Sequence, residues 1–165
     1  MGKSVSLWNY SNQPGQKMTP TDLTFIQPQW RPPKRYIPLM ASPVSAGFPS
    51  PAEDYEETRI DLNEHMVKNQ PATFYARLGE HADSMIGAGI HPGDIVVIDR
   101  SLDAQPGDVV LACVNGEFTL KRYCKDKQTG KIWLKAENPA YAAIHFSEGD
   151  EMEVWGVVKH SVRHH

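Results

Sequence analysis

From Thr73 to the C-terminus, short runs of β-branched and aliphatic residues alternate with turn formers, a period of strands and not of helices. One design occurs twice: Pro92-Gly93-Asp94 leads into Ile95-Val96-Val97-Ile98, and Pro106-Gly107-Asp108 leads into Val109-Val110-Leu111-Ala112. Each is a turn feeding a strand, and the two strands are expected at the core of a sheet. Asn115-Gly116 separates the run Val109 to Val114 from Glu117 to Tyr123, and Asn-Gly is the strongest short signal for a two-residue hairpin. Lys121 is thereby placed on a returning strand. Ala72 to Leu78 is strand-like, and further strands are expected at Lys131 to Ala136 and Glu153 to Val162, with Asn138-Pro139-Ala140-Tyr141 as a loop between them. Helix is scarce, the one candidate being a short turn near Ser84 to Gly87. The pattern predicts a mainly β fold.

Residues 1–46 read differently. Pro14, Pro20, Pro28, Pro32, Pro33, Pro38 and Pro43 fall there, seven of the thirteen prolines, and neither regular helices nor central strands run through such a density. Lys3, Lys17, Arg31, Lys34 and Arg35 face Asp22 alone, so this segment is +4; with -3 over the whole chain, the remainder carries -7. An arm and a body of opposite sign attract. Phe25, Ile26, Trp30, Tyr36, Ile37, Leu39 and Met40 are too many apolar residues for an inert linker. They predict extended pieces that dock onto a surface, against the alternative of a disordered leader.

With 165 residues the chain suits one folded domain plus an arm. Its small net charge gives no electrostatic case for direct nucleic-acid binding. Cys113 and Cys124 are too few for a disulfide framework and lack metal-ligand spacing, so packed or surface thiols in a reducing compartment are expected, with no metal and no cofactor. The opening Met1-Gly2-Lys3-Ser4-Val5 leads into polar residues, and no stretch approaches the roughly 20 apolar residues that span a bilayer. Neither secretion nor membrane insertion is expected, and the predicted location is cytoplasmic.

Two residues stand out for chemistry. Ser84, in Asp83-Ser84-Met85-Ile86, lies between a strand-like segment and the turn at Gly89 to Asp94. If a helical turn begins there, unpaired backbone N–H groups can hold an oxyanion, although a helix-capping serine is the commoner explanation of such a residue. The hydroxyl needs an activator. His81 is three residues away, yet no carboxylate is placed to orient it as a triad requires, and no Gly-x-Ser-x-Gly elbow occurs. The rival base is Lys121, bracketed by Phe118, Leu120 and Tyr123 on an alternating strand. An ordinary lysine, with pKa about 10.4, is neutral at pH 7 in only about one molecule in 2,500. Burial without a counter-ion could lower that pKa by about 3, at a cost of roughly 4 kcal/mol, and make the amine a competent base. Taken alone, such a lysine is more often a snorkelling surface residue.

Six phrases in order change that balance: Gly47-Phe48-Pro49-Ser50-Pro51-Ala52, Arg59-Ile60-Asp61-Leu62-Asn63, Asp83-Ser84-Met85-Ile86, Gly93-Asp94-Ile95, Gly116-Glu117-Phe118-Thr119-Leu120-Lys121 and Val154-Trp155-Gly156-Val157-Val158. From Ala46 to about His160 the chain resembles the UmuD-like branch of the LexA-type self-cleaving peptidases. The resemblance implies twisted antiparallel sheets, Ser84 as nucleophile, Lys121 as base, and the backbone N–H groups of Asp83 and Ser84 as oxyanion donors. It also implies a scissile bond between Ala46 and Gly47, dividing the chain into an arm, 1–46, and a peptidase and dimerisation domain, 47–165. His81-Ala82-Asp83 departs from relatives that often carry Gly before Asp-Ser, and the arm is longer and more basic and aromatic than is usual.

The expected activity is intramolecular acyl transfer, stimulated by a RecA filament on single-stranded DNA. The cut homodimer is expected to join a Y-family, UmuC-like polymerase in copying damaged DNA. Seven prolines exclude a helix-turn-helix domain from the first 46 residues, so no operator recognition is expected. Two other classes remain open at this point: an inactive dimeric binding module, and a repressor-like regulator acting through protein contacts.

Overall fold

The computed structural model describes residues 23–26, 34–40 and 57–165. Eight of its strands form one antiparallel sheet. In chain order the strands are β1 (Leu23–Ile26), β2 (Ile37–Met40), β3 (Glu57–Ile60), β4 (Thr73–Leu78), β5 (Ile95–Asp99), β6 (Val109–Val114), β7 (Glu117–Lys125), β8 (Ile132–Lys135), β9 (Ile144–His145) and β10 (Met152–Val162). The large sheet runs β1-β4-β5-β10-β6-β7-β8-β9, and β2 pairs with β3 in a separate ribbon. The two strands fed by Pro-Gly-Asp turns, β5 and β6, are central and largely buried. They are not neighbours: β10 enters between them, with register shifts at Val154/Gly156 against β6 and at Val158/His160 against β5. Such irregularities bend a strand and increase its local twist.

The β6–β7 hairpin forms as its Asn-Gly pair dictates. Val114 faces Glu117, and Asn115 and Gly116 both take positive φ, 49° and 86°, as a two-residue turn matched to strand twist requires. Pairing continues through Val110 opposite Lys121, which fixes where the lysine emerges. Apolar side chains fill two clusters. One gathers Ala76, Leu78, Met85, Ile90, Val96, Ile98, Leu111 and Leu120, the other Val110, Ala112, Tyr123, Leu134 and Val157. Leu111 and Leu120 belong to the first while Val110 and Tyr123 belong to the second, as alternation along β6 and β7 demands.

Helix is scarce, but its place differs from the expectation. Two short 3-10 turns occur among the described residues, Gln70–Ala72 and Ile86–Ala88, and the second begins two residues after Ser84. The α-helix is α1, Leu62–Met66, where Asp61 caps by accepting from the Glu64 N–H at 3.1 Å. Asp61-x-x-Glu64 is a capping-box spacing at the start of the helix, a signal present in the sequence itself.

Parts of the arm dock as extended pieces. β1 lies antiparallel to β4, from Leu23 opposite Leu78 to Ile26 opposite Tyr75. β2 lies antiparallel to β3, from Ile37 opposite Ile60 to Met40 opposite Glu57. Beside this ribbon the Arg35 N–H donates to Asp61 Oδ2 at 2.5 Å, and Glu64 receives Lys34 Nζ and the Tyr36 hydroxyl, each at 3.2 Å. Ala46 and Gly47, with the boundary expected between them, lie outside the described residues.

The β4–β5 connection carries Ser84 and is tied down at its far end. The fully buried Asp94 carboxylate accepts from Arg163 Nε and Nη2, each at 2.7 Å, and from the His91 N–H at 2.9 Å. Arg163 also donates to the Gly89 carbonyl at 2.8 Å. The Arg163 guanidinium holds the Asp94 carboxyl below its ordinary range, as expected for a bidentate, charge-assisted contact. Met85 and Ile90, both buried, anchor the same connection in the first cluster.

Gly156 sits where β10 shifts register, and a Cβ there would lie 2.6 Å from Ile98 Cγ2 and 3.2 Å from the Asp99 carbonyl oxygen. Gly156→Val is therefore expected to destabilise the fold by about 1–3 kcal/mol through overpacking. A lowered denaturant midpoint is the expected reading, and an unchanged midpoint would contradict this packing.

Candidate active site

Ser84 and Lys121, 37 residues apart in sequence, meet. Lys121 Nζ lies 2.8 Å from Ser84 Oγ, 3.0 Å from Thr119 Oγ1 and 3.0 Å from the Leu120 carbonyl oxygen. The serine hydroxyl is also 3.3 Å from that carbonyl. Strand β7 supplies Thr119 and Lys121 from one face by its two-residue period, while the β4–β5 connection supplies Ser84. Lys121 is only 6% exposed, so the snorkelling reading does not hold. Its partners are two hydroxyls and a carbonyl, and burial pushes the amine below the ordinary lysine value, opposed by the Asp83 carboxylate. Desolvation disfavours the ammonium, and no hydrogen-bonded carboxylate restores it. The Tyr141 ring lies 5.9 Å from the same nitrogen.

Ser84 is held through its neighbours' backbone. The Ser84 carbonyl accepts from the Glu137 N–H at 2.9 Å, and the Glu137 carbonyl accepts from the Gly87 N–H at 2.7 Å. Asn138, nearly buried, donates its side-chain amide to the Asp83 carbonyl at 3.1 Å and accepts from the Ala140 N–H at 3.0 Å. The Tyr141 hydroxyl donates to Asp83 Oδ1. The loop after β8 thus clasps residues 83–87 along one side. Glu137 is itself fixed by Arg122 Nε at 2.5 Å, with Lys135 at 3.7 Å, and these cations hold its carboxyl below the ordinary range.

Of the expected site residues, Asp83, Ser84 and Lys121 come together, whereas Ala46 and Gly47 lie outside the described residues. The Asp83 N–H, expected as an oxyanion donor, is directed at the His81 carbonyl at 3.0 Å. His81 is exposed; it is Lys121 that reaches the Ser84 hydroxyl. Thr119, Glu137, Asn138 and Tyr141 were not singled out as site residues. Thr119 had a readable signal, since it precedes Lys121 by two on a strand. Asn138 and Tyr141 sit in a stretch legible only as a loop, and Glu137 at the step that leads into it.

Residues 38–159 match the family described as Peptidase S24-like. The protein MucA of Salmonella typhimurium is 38% identical over 129 residues, 78% of this chain and 86% of that protein. ImpA of the same organism is 47% identical over 125 residues, 76% of this chain and 82% of that one. The LexA repressor of Bifidobacterium adolescentis is 35% identical over 122 residues, 74% of this chain and 44% of the repressor. The matched region takes in both residues of the buried contact, and the chain belongs to the S24-like peptidases, in their UmuD-like branch.

Proposed function

We propose that this protein cuts its own chain between Ala46 and Gly47, with Ser84 as nucleophile and the uncharged Lys121 amine as general base. The observation that carries this reading is the 2.8 Å contact between a buried lysine nitrogen and the serine hydroxyl. An uncharged amine has two N–H donors and one lone pair. With its N–H groups directed at Thr119 Oγ1 and the Leu120 carbonyl, its lone pair faces Ser84 Oγ and accepts from the hydroxyl. Lys121 then takes that proton as Oγ bonds to the Ala46 carbonyl carbon. The resulting ammonium protonates the Gly47 nitrogen as the C–N bond breaks, leaving residues 1–46 esterified to Ser84. Water, deprotonated by the same amine, cleaves the ester and restores the serine.

Oxyanion stabilisation falls to the Asp83 and Ser84 N–H groups in this reading. The Asp83 N–H must turn from the His81 carbonyl to serve, so the described state is a resting one. Because the substrate is tethered, control lies in geometry and not in concentration. Stimulation by a RecA filament on single-stranded DNA, homodimerisation and service beside a Y-family polymerase in SOS mutagenesis complete the proposal, and they rest on kinship with the UmuD-like branch. The same kinship supports a cytoplasmic location; no helix among the described residues is long and apolar enough to cross a membrane.

Mildly alkaline incubation of the purified chain, followed by intact-mass spectrometry, tests the dyad and the bond together. Cleavage at Ala46–Gly47 is expected to accelerate as pH rises toward the amine's pKa, and to vanish in Ser84→Ala and Lys121→Ala. Persistence in either variant removes that residue from its role. Gly87→Ala supplies a geometric test, because its Cβ would fall 2.2 Å from the Glu137 carbonyl oxygen and push the clasp off the serine segment. A shift of about 1 Å at a reacting group costs on the order of 100-fold in rate, and undiminished cleavage by a folded Gly87→Ala protein would contradict the clasp's part in placing Ser84.

A further inference from the structure

We propose that Tyr141 is a positioning residue of the Ser84–Lys121 pair: by engaging the Asp83 carboxylate it keeps that charge from the Lys121 amine and so sets the pH at which the site becomes competent. This rests on the dyad reading above and adds a control to it.

Three groups make the arrangement. The Tyr141 hydroxyl donates to Asp83 Oδ1, its ring lies 5.9 Å from Lys121 Nζ, and Asp83 is the carboxylate whose charge acts on that amine. The amine's own hydrogen bonds go to Ser84, Thr119 and Leu120, so carboxylate and amine are near each other without being joined. A freed carboxylate beside an ammonium forms an ion pair, which favours the charged amine and disables the base. Tyr141 opposes that by occupying Oδ1. Donating to the carboxylate also keeps the proton on the phenol and raises the Tyr141 pKa, Asp83 being the leading cause, so the contact persists into the alkaline range where the lysine loses its proton.

The surroundings add little competing charge. Facing the amine are Ser84 from the β4–β5 connection, Thr119 from β7, and Tyr141 from the loop after β8, with the neighbouring Asp83 acting through its charge; the cross-strand neighbour on β6 is Val110. Glu137, in the same loop as Tyr141, is engaged by Arg122 and Lys135. His81, exposed and two residues before Asp83, offers its carbonyl to the Asp83 N–H. The loop's backbone is held independently of the phenol, since the Tyr141 N–H donates to the Asn138 carbonyl at 3.1 Å and Asn138 grips the Asp83 carbonyl. Removing one exposed hydroxyl therefore leaves the clasp in place.

The test is the pH profile of self-cleavage in Tyr141→Phe, Asp83→Asn and the double variant. In Tyr141→Phe the midpoint is expected to rise by about one pH unit, with roughly tenfold slower cutting at neutral pH, while the alkaline plateau stays within about twofold of the unmodified chain. Asp83→Asn is expected to lower the midpoint, and adding Tyr141→Phe to it to move the midpoint no further. An unmoved midpoint in Tyr141→Phe, an equal loss at every pH, or the same rise in the Asp83→Asn background each overturns the proposal. Competitive acetylation of Lys121 by acetic anhydride, read by peptide mass spectrometry in the non-cleaving Ser84→Ala chain, measures the same midpoint without any cutting. Failure of the unmodified chain to cut at all would refute the dyad reading, while this labelling still decides the role of Tyr141.

Discussion

The function proposed for this fold depends on a lysine amine kept from water beside one hydroxyl, with no carboxylate hydrogen-bonded to it. Lys121 occupies a core position on β7 opposite Val110, where an ammonium is poorly solvated and an uncharged amine is not. The sheet provides that setting. β6 and β7 fix the lysine in register, buried Met85 and Ile90 pin the β4–β5 connection to the core, and the Arg163–Asp94 contact closes its far end. The loop after β8 then sets the height of Ser84 above β7. Each contact is structural, yet together they set Ser84 and Lys121 in the geometry that the proposed nucleophile and base need.

Much of this was legible in the residues because the governing signals are local. Asn115-Gly116 specified the hairpin, and the hairpin placed Lys121 on the strand facing β6. The Pro-Gly-Asp turns specified β5 and β6. What could not be read was nonlocal: nothing in the β10 sequence says that it inserts between β5 and β6, since strand order is decided by packing across the whole sheet. Asn138 and Tyr141 were invisible as site residues for the same reason, their partners lying 55 and 58 positions away. The lysine itself was ambiguous, as its charge state follows from burial and a single strand's pattern does not determine burial. Motif resemblance pointed to it, and the geometry supplied the cause. The displaced helical turn has the same nonlocal cause: the Ser84 carbonyl and the Gly87 N–H are both spent on Glu137, so the turn is closed by the Ala88 and Gly89 N–H groups on the Met85 and Ile86 carbonyls.

The arm extends the same logic to regulation. β2 and β3 pair across residues 41–56, and Lys34, Arg35 and Tyr36 contact Glu64 and Asp61 on the far side of that stretch. β1 meanwhile adds a strand to the β4 edge. The chain on both sides of the proposed bond is therefore attached to the body. In the proposed mechanism such attachment gives high effective concentration, and the state of the Asp83 N–H gives a reason for the resting chain to be slow.

The most direct test of the central claim is the protonation of one nitrogen. Lys121 Nζ can be followed by heteronuclear NMR through a pH titration of the full chain carrying Ser84→Ala, which removes cutting as a complication. An amine that serves as the base has a midpoint clearly below the ordinary lysine value of about 10.4, with the other lysine amines as internal references. A midpoint at or above that value would contradict that role.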